Sequence, residues 1–313
     1  MSRPLPMAQP ASPIFNRIAI VGLGLIGGSL ALAVRERWPS GLLIGVDRND
    51  VLEKAMVLHA IDVAADDLVV IAEADLVVLA APVRENIRLL AELPAHVTGT
   101  TVVTDVGSTK RAIVESARAL PSNFTFVGGY PLGGAARGGI DHARADLFVG
   151  RPWLFTPDGG AGDPLDRLFE FARAVGALPR MLDPVEHDRL LAYISHLPQL
   201  VASALMHIVG GGADADGLAL SGRGLGDTTR LASSPAEIWR DITATNADHL
   251  GAALDELINV LRDLRQELPA SDELTRIFAS ANAWRSHLTQ LAELGGRGGE
   301  LARRGARGPA SEE

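Results

Sequence analysis

The chain contains no cysteine among its 313 residues. That excludes disulfides, thiolate metal sites and a cysteine nucleophile, and it fits a cytoplasmic location. Basic charge is not in excess either: 29 Lys and Arg stand against 38 Asp and Glu, a net charge of −9 at pH 7. Phosphate binding wants clustered cations, so nucleic acid is not expected as a partner. No run approaches the roughly 20 apolar residues of a membrane span. The Pro- and Ala-rich residues 1–13 lack the apolar centre of a signal peptide, so no membrane association is expected.

What remains is an ordinary globular composition, 47% hydrophobic and 21% charged, in a chain long enough for two domains. Residues 1–13 and the Gly- and Arg-rich tail 295–313 read as disordered ends. The tail's arginines admit an RNA-binding reading, but a solvated end accounts for them more simply.

Between these ends the pattern has two parts. In residues 14–182, short apolar runs alternate with helical stretches. Arg17–Val21, Leu42–Val46, Leu76–Ala80, Thr101–Thr104, Phe124–Val127 and Trp153–Thr156 read as strands, and Ser29 to Trp38 as the first helix. This is the pattern of a doubly wound parallel sheet, an α/β architecture. After Asp183-Pro184 the periodicity is helical only. Val185–Val209 reads as one long helix kinked at Pro198, followed by helical stretches at Ile238–Leu268 and Glu273–Leu294. An α/β domain followed by an all-helical domain over 183–294 is expected, with the active site in the cleft they form. Helical halves with apolar stripes commonly bury them across a two-fold axis, so a homodimer is expected.

Gly22-Leu23-Gly24-Leu25-Ile26-Gly27 is a G-x-G-x-x-G run that leaves a strand and opens a helix, and Asp47 ends the next strand twenty positions after Gly27. In that setting the glycines allow a tight turn, close approach of backbone to a pyrophosphate, and close helix–strand packing. The free N–H groups of the helix start, at Leu25 and Ile26, receive phosphate charge. Asp47 suits ribose hydroxyls and repels a 2′-phosphate, which favours NAD over NADP; Arg48 beside it argues the other way. Ala80 and Pro82 end a later strand at the same sheet edge, where small residues leave room for a cofactor; a plain strand-to-helix turn explains them nearly as well.

Polar residues gather in four further segments: Asp105–Lys110, Gly128–Gly134, Glu186–Gln199 and Gly226–Arg230. The first two follow strands and should emerge at the carboxyl edge of the sheet, where ligands bind in such folds. No metal site is assigned.

With VGLGLIGGSLA (21–31), DVGSTK (105–110), GGYPLGG (128–134), EHDRLLAYISHLPQ (186–199) and GDTTRLASSPAEIWRDI (226–242), the chain resembles the prephenate/arogenate dehydrogenase family of tyrosine biosynthesis. The resemblance implies a Rossmann domain joined to a helical dimerisation domain, and NAD(P)-dependent oxidative decarboxylation of a cyclohexadiene. Hydride leaves C4 of the ring, the ring carboxylate leaves as CO2, and the ring becomes aromatic. The substrate carries two carboxylates. By resemblance Arg230 binds one of them, Ser108 hydrogen-bonds near the reacting 4-substituent, and His196 helps bind substrate; Lys110 is a weaker candidate for charge complementarity. Each has a plainer reading: Ser108 as a helix cap, Arg230 paired with Asp227 or Glu237, His196 as a core histidine. His187 and Asp188 read as packing or surface groups, and nothing marks His142 as a base.

One position departs from the family. Where it has a catalytic histidine before the proline, this chain has Tyr130. The family histidine accepts the proton of the substrate's 4-hydroxyl as hydride leaves. An imidazole, with a pKa of about 6.5, can do so near neutral pH, whereas a phenol, at about 10, is a poor base. A 4-amino group changes the requirement, because nitrogen supports positive charge at C4 better than oxygen. The family includes members that oxidise 4-amino-4-deoxyprephenate to 4-aminophenylpyruvate, and Tyr130 with the rest of the site kept points to that substrate. A prephenate or arogenate dehydrogenase with another base is the alternative. A non-catalytic NAD-binding protein fits the lost histidine but not the retained Ser108, His196 and Arg230.

Overall fold

Aliphatic runs bounded by turn formers become strands covered on both faces. This computed structural model describes residues 12–134, 137–159, 162–268 and 272–306, and it divides into two units between Leu182 and Asp183. In the first unit, β1 (Arg17–Val21), β2 (Leu42–Val46), β3 (Val63–Ala65), β4 (Leu76–Leu79), β5 (Thr101–Asp105), β6 (Phe124–Pro131), β7 (Pro152–Pro157) and β8 (Leu178–Met181) form one sheet. Their order is β3-β2-β1-β4-β5-β6-β7-β8. Helices α1 (Leu25–Arg37), α2 (Asn49–Val57), α3 (Val83–His96), α4 (Arg111–Ala117) and α5 (Gly162–Ala174) connect the strands.

The pleat sends alternate residues to two cores. Ile18 and Ile20 of β1 join Leu30, Trp38 and Phe171 on one face. Ala19 and Val21 join Leu89, Leu93 and Ile113 on the other. The order from β3 to β6 reverses direction between β1 and β4, which is the switch point where dinucleotides bind in such sheets.

The sheet differs from the sequence expectation in three places. β7 runs antiparallel to β6, so the sheet is parallel-dominated rather than wholly parallel. β3 and β8 carry no usable strand signal, being three residues long and proline-containing, respectively. β6 continues through Pro131, so Tyr130 lies in a strand opposite Leu154 rather than in a loop. Gly128 and Gly129 make that extension possible, because a Cβ at Gly129 would sit 2.6 Å from the Asp105 carbonyl oxygen.

The second unit is helical: α6 (Pro184–Leu191), α7 (Leu197–Ala219), α8 (Arg223–Thr229), α9 (Ala236–Thr245), α10 (Ala247–Gln266) and α11 (Asp272–Ala306). Asp183 caps α6, its carboxylate accepting from the backbone N–H of Val185 at 2.8 Å and of Glu186 at 3.2 Å, with Pro184 in the first turn. Between α6 and α7 lies a π-helical turn, Ala192–His196. The expected kink at Pro198 is thus an expanded turn just before it: Pro198 has no N–H for the regular ladder. The expected helix over Ile238–Leu268 is broken at Asn246.

Helix α11 runs to Ala306, although the sequence from Gly295 reads as disordered. Extending an existing helix needs no new nucleus, and Glu300–Arg304 are good helix formers. Residues 1–11 and 307–313 of the expected disordered ends lie outside the described residues. Pro184–Ala219 is long and apolar enough to cross a membrane by length and composition, with mean hydropathy 1.2 over its best window. No uninterrupted apolar run marks this window, whose hydropathy comes largely from small and aliphatic residues of α7.

Candidate active site

The glycine loop folds as its spacing requires. Gly22 takes φ +98°, and a Cβ there would lie 2.7–2.8 Å from the backbone of Ala80 and Ala81. A Cβ on Gly27 would overlap the Gly22 carbonyl oxygen. Gly24 caps α1 without a side chain, which leaves the first-turn N–H groups of Leu25 and Ile26 for a ligand. Both of those side chains pack on the core.

Asp47 holds this loop. Its carboxylate accepts from the Leu23 N–H at 2.6 Å and from the Arg48 N–H at 2.7 Å. The loop borders a cavity of about 850 Å³ lined by Gly22, Gly24, Asp47, Arg48, Ala80 and Pro82 among others. Asp66 and Asp67, which sequence reasoning missed, line it too. Arg48 is exposed and pairs with Asp50 at 3.4 Å. Buried Asn86 ties down the Ala80–Pro82 turn, accepting from Ala81 N–H and donating to the Leu79 carbonyl, both at 3.1 Å. The cradle that any Cβ would fill, the free helix start and the acidic ribose position together fit a dinucleotide.

At the end of β5, Asp105 links the two candidate substrate segments. Its Oδ2 accepts from Gly107 N–H at 2.7 Å and its Oδ1 from Gly129 N–H at 3.0 Å. The same carboxylate pairs with Lys110, and both side chains are fully buried. Lys110, a weaker candidate for charge complementarity to the substrate, thus has its ammonium enclosed beside Asp105. The pair sets the loop that carries Ser108 against the strand that carries Tyr130.

Ser108 is half-buried and does not cap α4, whose N-cap is Lys110, with no side-chain cap bond. Its hydroxyl makes no hydrogen bond among the described residues. Tyr130 is half-buried. Asp105 opens the DVGSTK segment but receives no role from the sequence, because an acidic residue at a strand end reads equally well as a turn former.

In the helical unit, the π turn sets His196 in the interior, fully buried and edge-on to Trp239, with ring centroids 6.1 Å apart at 78°. The Trp239 indole N–H donates to Ser234 Oγ at 2.9 Å. Asn246, also fully buried, donates from Nδ2 to the Asp188 carbonyl at 2.8 Å and lies 3.3 Å from His196 Nδ1. His187 and Asp188 form a fully buried pair, Nδ1 to Oδ1 at 2.9 Å, rather than surface groups. Arg230 opens a one-turn helix after α8, is exposed, and has no ion-pair partner among the described residues, so pairing with Asp227 or Glu237 is not seen. Trp239 and Asn246 were missed: each sits in a run that reads as plain helix. His142 is exposed in a one-turn helix. No group of three or more metal-ligating side chains occurs among the described residues.

Residues 30–178 match the family model described as prephenate dehydrogenase, nucleotide-binding domain, and residues 183–280 that of the prephenate dehydrogenase dimerization domain. Prephenate dehydrogenase of Bacillus subtilis (strain 168) is 35% identical over 284 residues, 87% of this chain and 76% of the relative. Synechocystis arogenate dehydrogenase superposes with a TM-score of 0.73 at 33% identity, covering 87% of this chain and 99% of that one. Prephenate dehydrogenase from A. aeolicus, in complex with hydroxyphenyl propionate and NAD+, gives a TM-score of 0.80 at 27% identity over 87% of this chain and 98% of that one.

Proposed function

The chain belongs to the prephenate dehydrogenase family of NAD-dependent oxidoreductases, and on that premise we propose that its substrate is 4-amino-4-deoxyprephenate, converted to 4-aminophenylpyruvate and CO2. The observation that carries this reading is Tyr130, standing immediately before Pro131 where the family has its histidine base, while Ser108, His196 and Arg230 are kept.

Bound NAD supplies the hydride acceptor. The chain's own residues bind and orient. The N–H groups at the start of α1 and the glycine cradle hold the pyrophosphate, and Asp47 takes the ribose hydroxyls. Arg230, exposed and without an ionic partner among the described residues, pairs with a substrate carboxylate. The Ser108 hydroxyl, which makes no hydrogen bond among the described residues, hydrogen-bonds at the 4-substituent, with Tyr130 as a hydrogen-bonding neighbour. In an amino substrate the nitrogen lone pair supports the positive charge that grows at C4 as hydride leaves. Loss of the ring carboxylate then restores aromaticity, and no base has to take a proton in the same step.

A second reading has support of its own. The relatives above are named for prephenate and arogenate, which carry a 4-hydroxyl. On that reading another group takes the hydroxyl proton. We also place the protein in the cytoplasm as a homodimer, its helical unit matching a domain described as one for dimerization.

The test is product analysis. Purified protein with NAD and 4-amino-4-deoxyprephenate should yield NADH, CO2 and 4-aminophenylpyruvate in equal amounts. Absence of 4-aminophenylpyruvate under conditions where prephenate or arogenate is consumed would refute the amino-substrate reading.

A further inference from the structure

We propose that Asn246 is a positioning residue that fixes His196 as its Nε2–H tautomer, so that this histidine meets substrate as a hydrogen-bond donor and not as a proton acceptor. The inference rests on the reading that His196 contacts substrate; the tautomer itself stands on geometry within the helical unit.

The side chain of Asn246 springs from a fixed stem. Its backbone breaks the helical run at φ −137° and ψ 34°. Even so, its N–H donates to the Ile242 carbonyl and its carbonyl accepts from Leu250 N–H, both at 3.1 Å. The amide therefore has little freedom beyond a flip, and the Asp188 carbonyl decides the flip. With the nitrogen facing it at 2.8 Å there is a hydrogen bond. Turned over, the amide would set two carbonyl oxygens against each other with no proton to share. The NH2 group is thereby pinned, and its second hydrogen is available to His196 Nδ1 at 3.3 Å.

An amide nitrogen only donates, so Nδ1 must accept, and the proton of a neutral ring must sit on Nε2. Asn246 Oδ1 is buried with no hydrogen-bond partner among the described residues, so the amide is placed there for its nitrogen. The edge-on indole of Trp239 limits rotation of the ring.

The consequence concerns the missing base. Tyr130 does not replace the family histidine as a proton acceptor, and a neutral His196 with its proton on Nε2 and its lone pair engaged at Nδ1 does not either. A 4-hydroxyl substrate would find no imidazole lone pair at these two positions, whereas a 4-amino substrate does not require one.

The tautomer can be read directly. Full-length protein labelled with 15N-histidine would be examined by long-range 1H–15N correlation, with His196→Gln identifying the His196 signals. The expected pattern is an unprotonated, pyridine-like Nδ1 and a protonated, pyrrole-like Nε2. A proton on Nδ1 in the wild-type protein would overturn the proposal, without any need for a variant at 246. Asn246→Asp then replaces the donor with an acceptor, and Nδ1 should become protonated; an unchanged His196 pattern in that folded variant would overturn the role of Asn246. The result is separable from the substrate reading. Prephenate turnover by a protein with the Nε2–H pattern would remove the amino substrate and leave the tautomer standing, while a protonated Nδ1 would remove the tautomer whatever the substrate.

Discussion

Tyr130 and Asp105 mark two kinds of residue, one whose identity selects chemistry on the proposed reading and one whose burial holds geometry. If Tyr130 marks the loss of a base, restoring imidazole should restore hydroxyl chemistry. Tyr130→His is expected to raise kcat for prephenate by about 100-fold or more, the usual range for a positioned general base. NADH formation under saturating prephenate measures it, and an unchanged rate would show that another group already takes the proton. Asp105 belongs to the second kind. Fully buried, it pairs with Lys110 and accepts from Gly107 and Gly129. Asp105→Ala strands a buried ammonium, and breaking such a pair costs about 3–5 kcal/mol. Urea unfolding should show that loss, and the double variant Asp105→Ala, Lys110→Met should recover part of it. A loss below about 1 kcal/mol in the single variant, the range of an exposed pair, would contradict the enclosed pair.

The elements divide by how their signals arise. β1, β2, β4 and β5 are legible because a strand covered on both faces must be a continuous apolar run, and LVVL or RIAIV has few other uses. The glycine loop is legible because its steric demands fall at fixed positions, as the overlap of a Gly27 Cβ with Gly22 illustrates. The π turn at Ala192–His196 is legible only as the kink expected at Pro198, and the break at Asn246 is not legible at all, lying in a sequence with good helical periodicity. That is why motifs single out Ser108 and His196 as candidates and leave Asn246 unmarked. The cofactor loop carries its own prediction. Asp47, with Asp66 and Asp67 on the same cavity, disfavours a 2′-phosphate, while exposed Arg48 pairs with Asp50 instead. With any accepted substrate, kcat/KM for NAD should exceed that for NADP by at least about tenfold, the effect of roughly 1.4 kcal/mol of unfavourable charge. Equal values would mean that Arg48 leaves Asp50 for the phosphate.

At the scale of the whole molecule, the helical unit exposes large apolar side chains, including Ile208, Leu220, Phe278 and Trp284, at 59–88% of their full surface. Apolar exposure on that scale marks an interaction surface more often than a free one. Light scattering should therefore give twice the chain mass, and the mass of one chain at micromolar concentration would contradict the homodimer. The central claim is that an NAD-dependent member of this family has exchanged its histidine base for a tyrosine because its substrate carries nitrogen at C4. The most direct measurement is kcat/KM for NADH formation with 4-amino-4-deoxyprephenate, prephenate and arogenate under one set of conditions. The account predicts that the amino substrate exceeds both others by at least about 100-fold, the low end of what a lost general base costs a hydroxyl substrate. Equal or greater efficiency on prephenate or arogenate would contradict it.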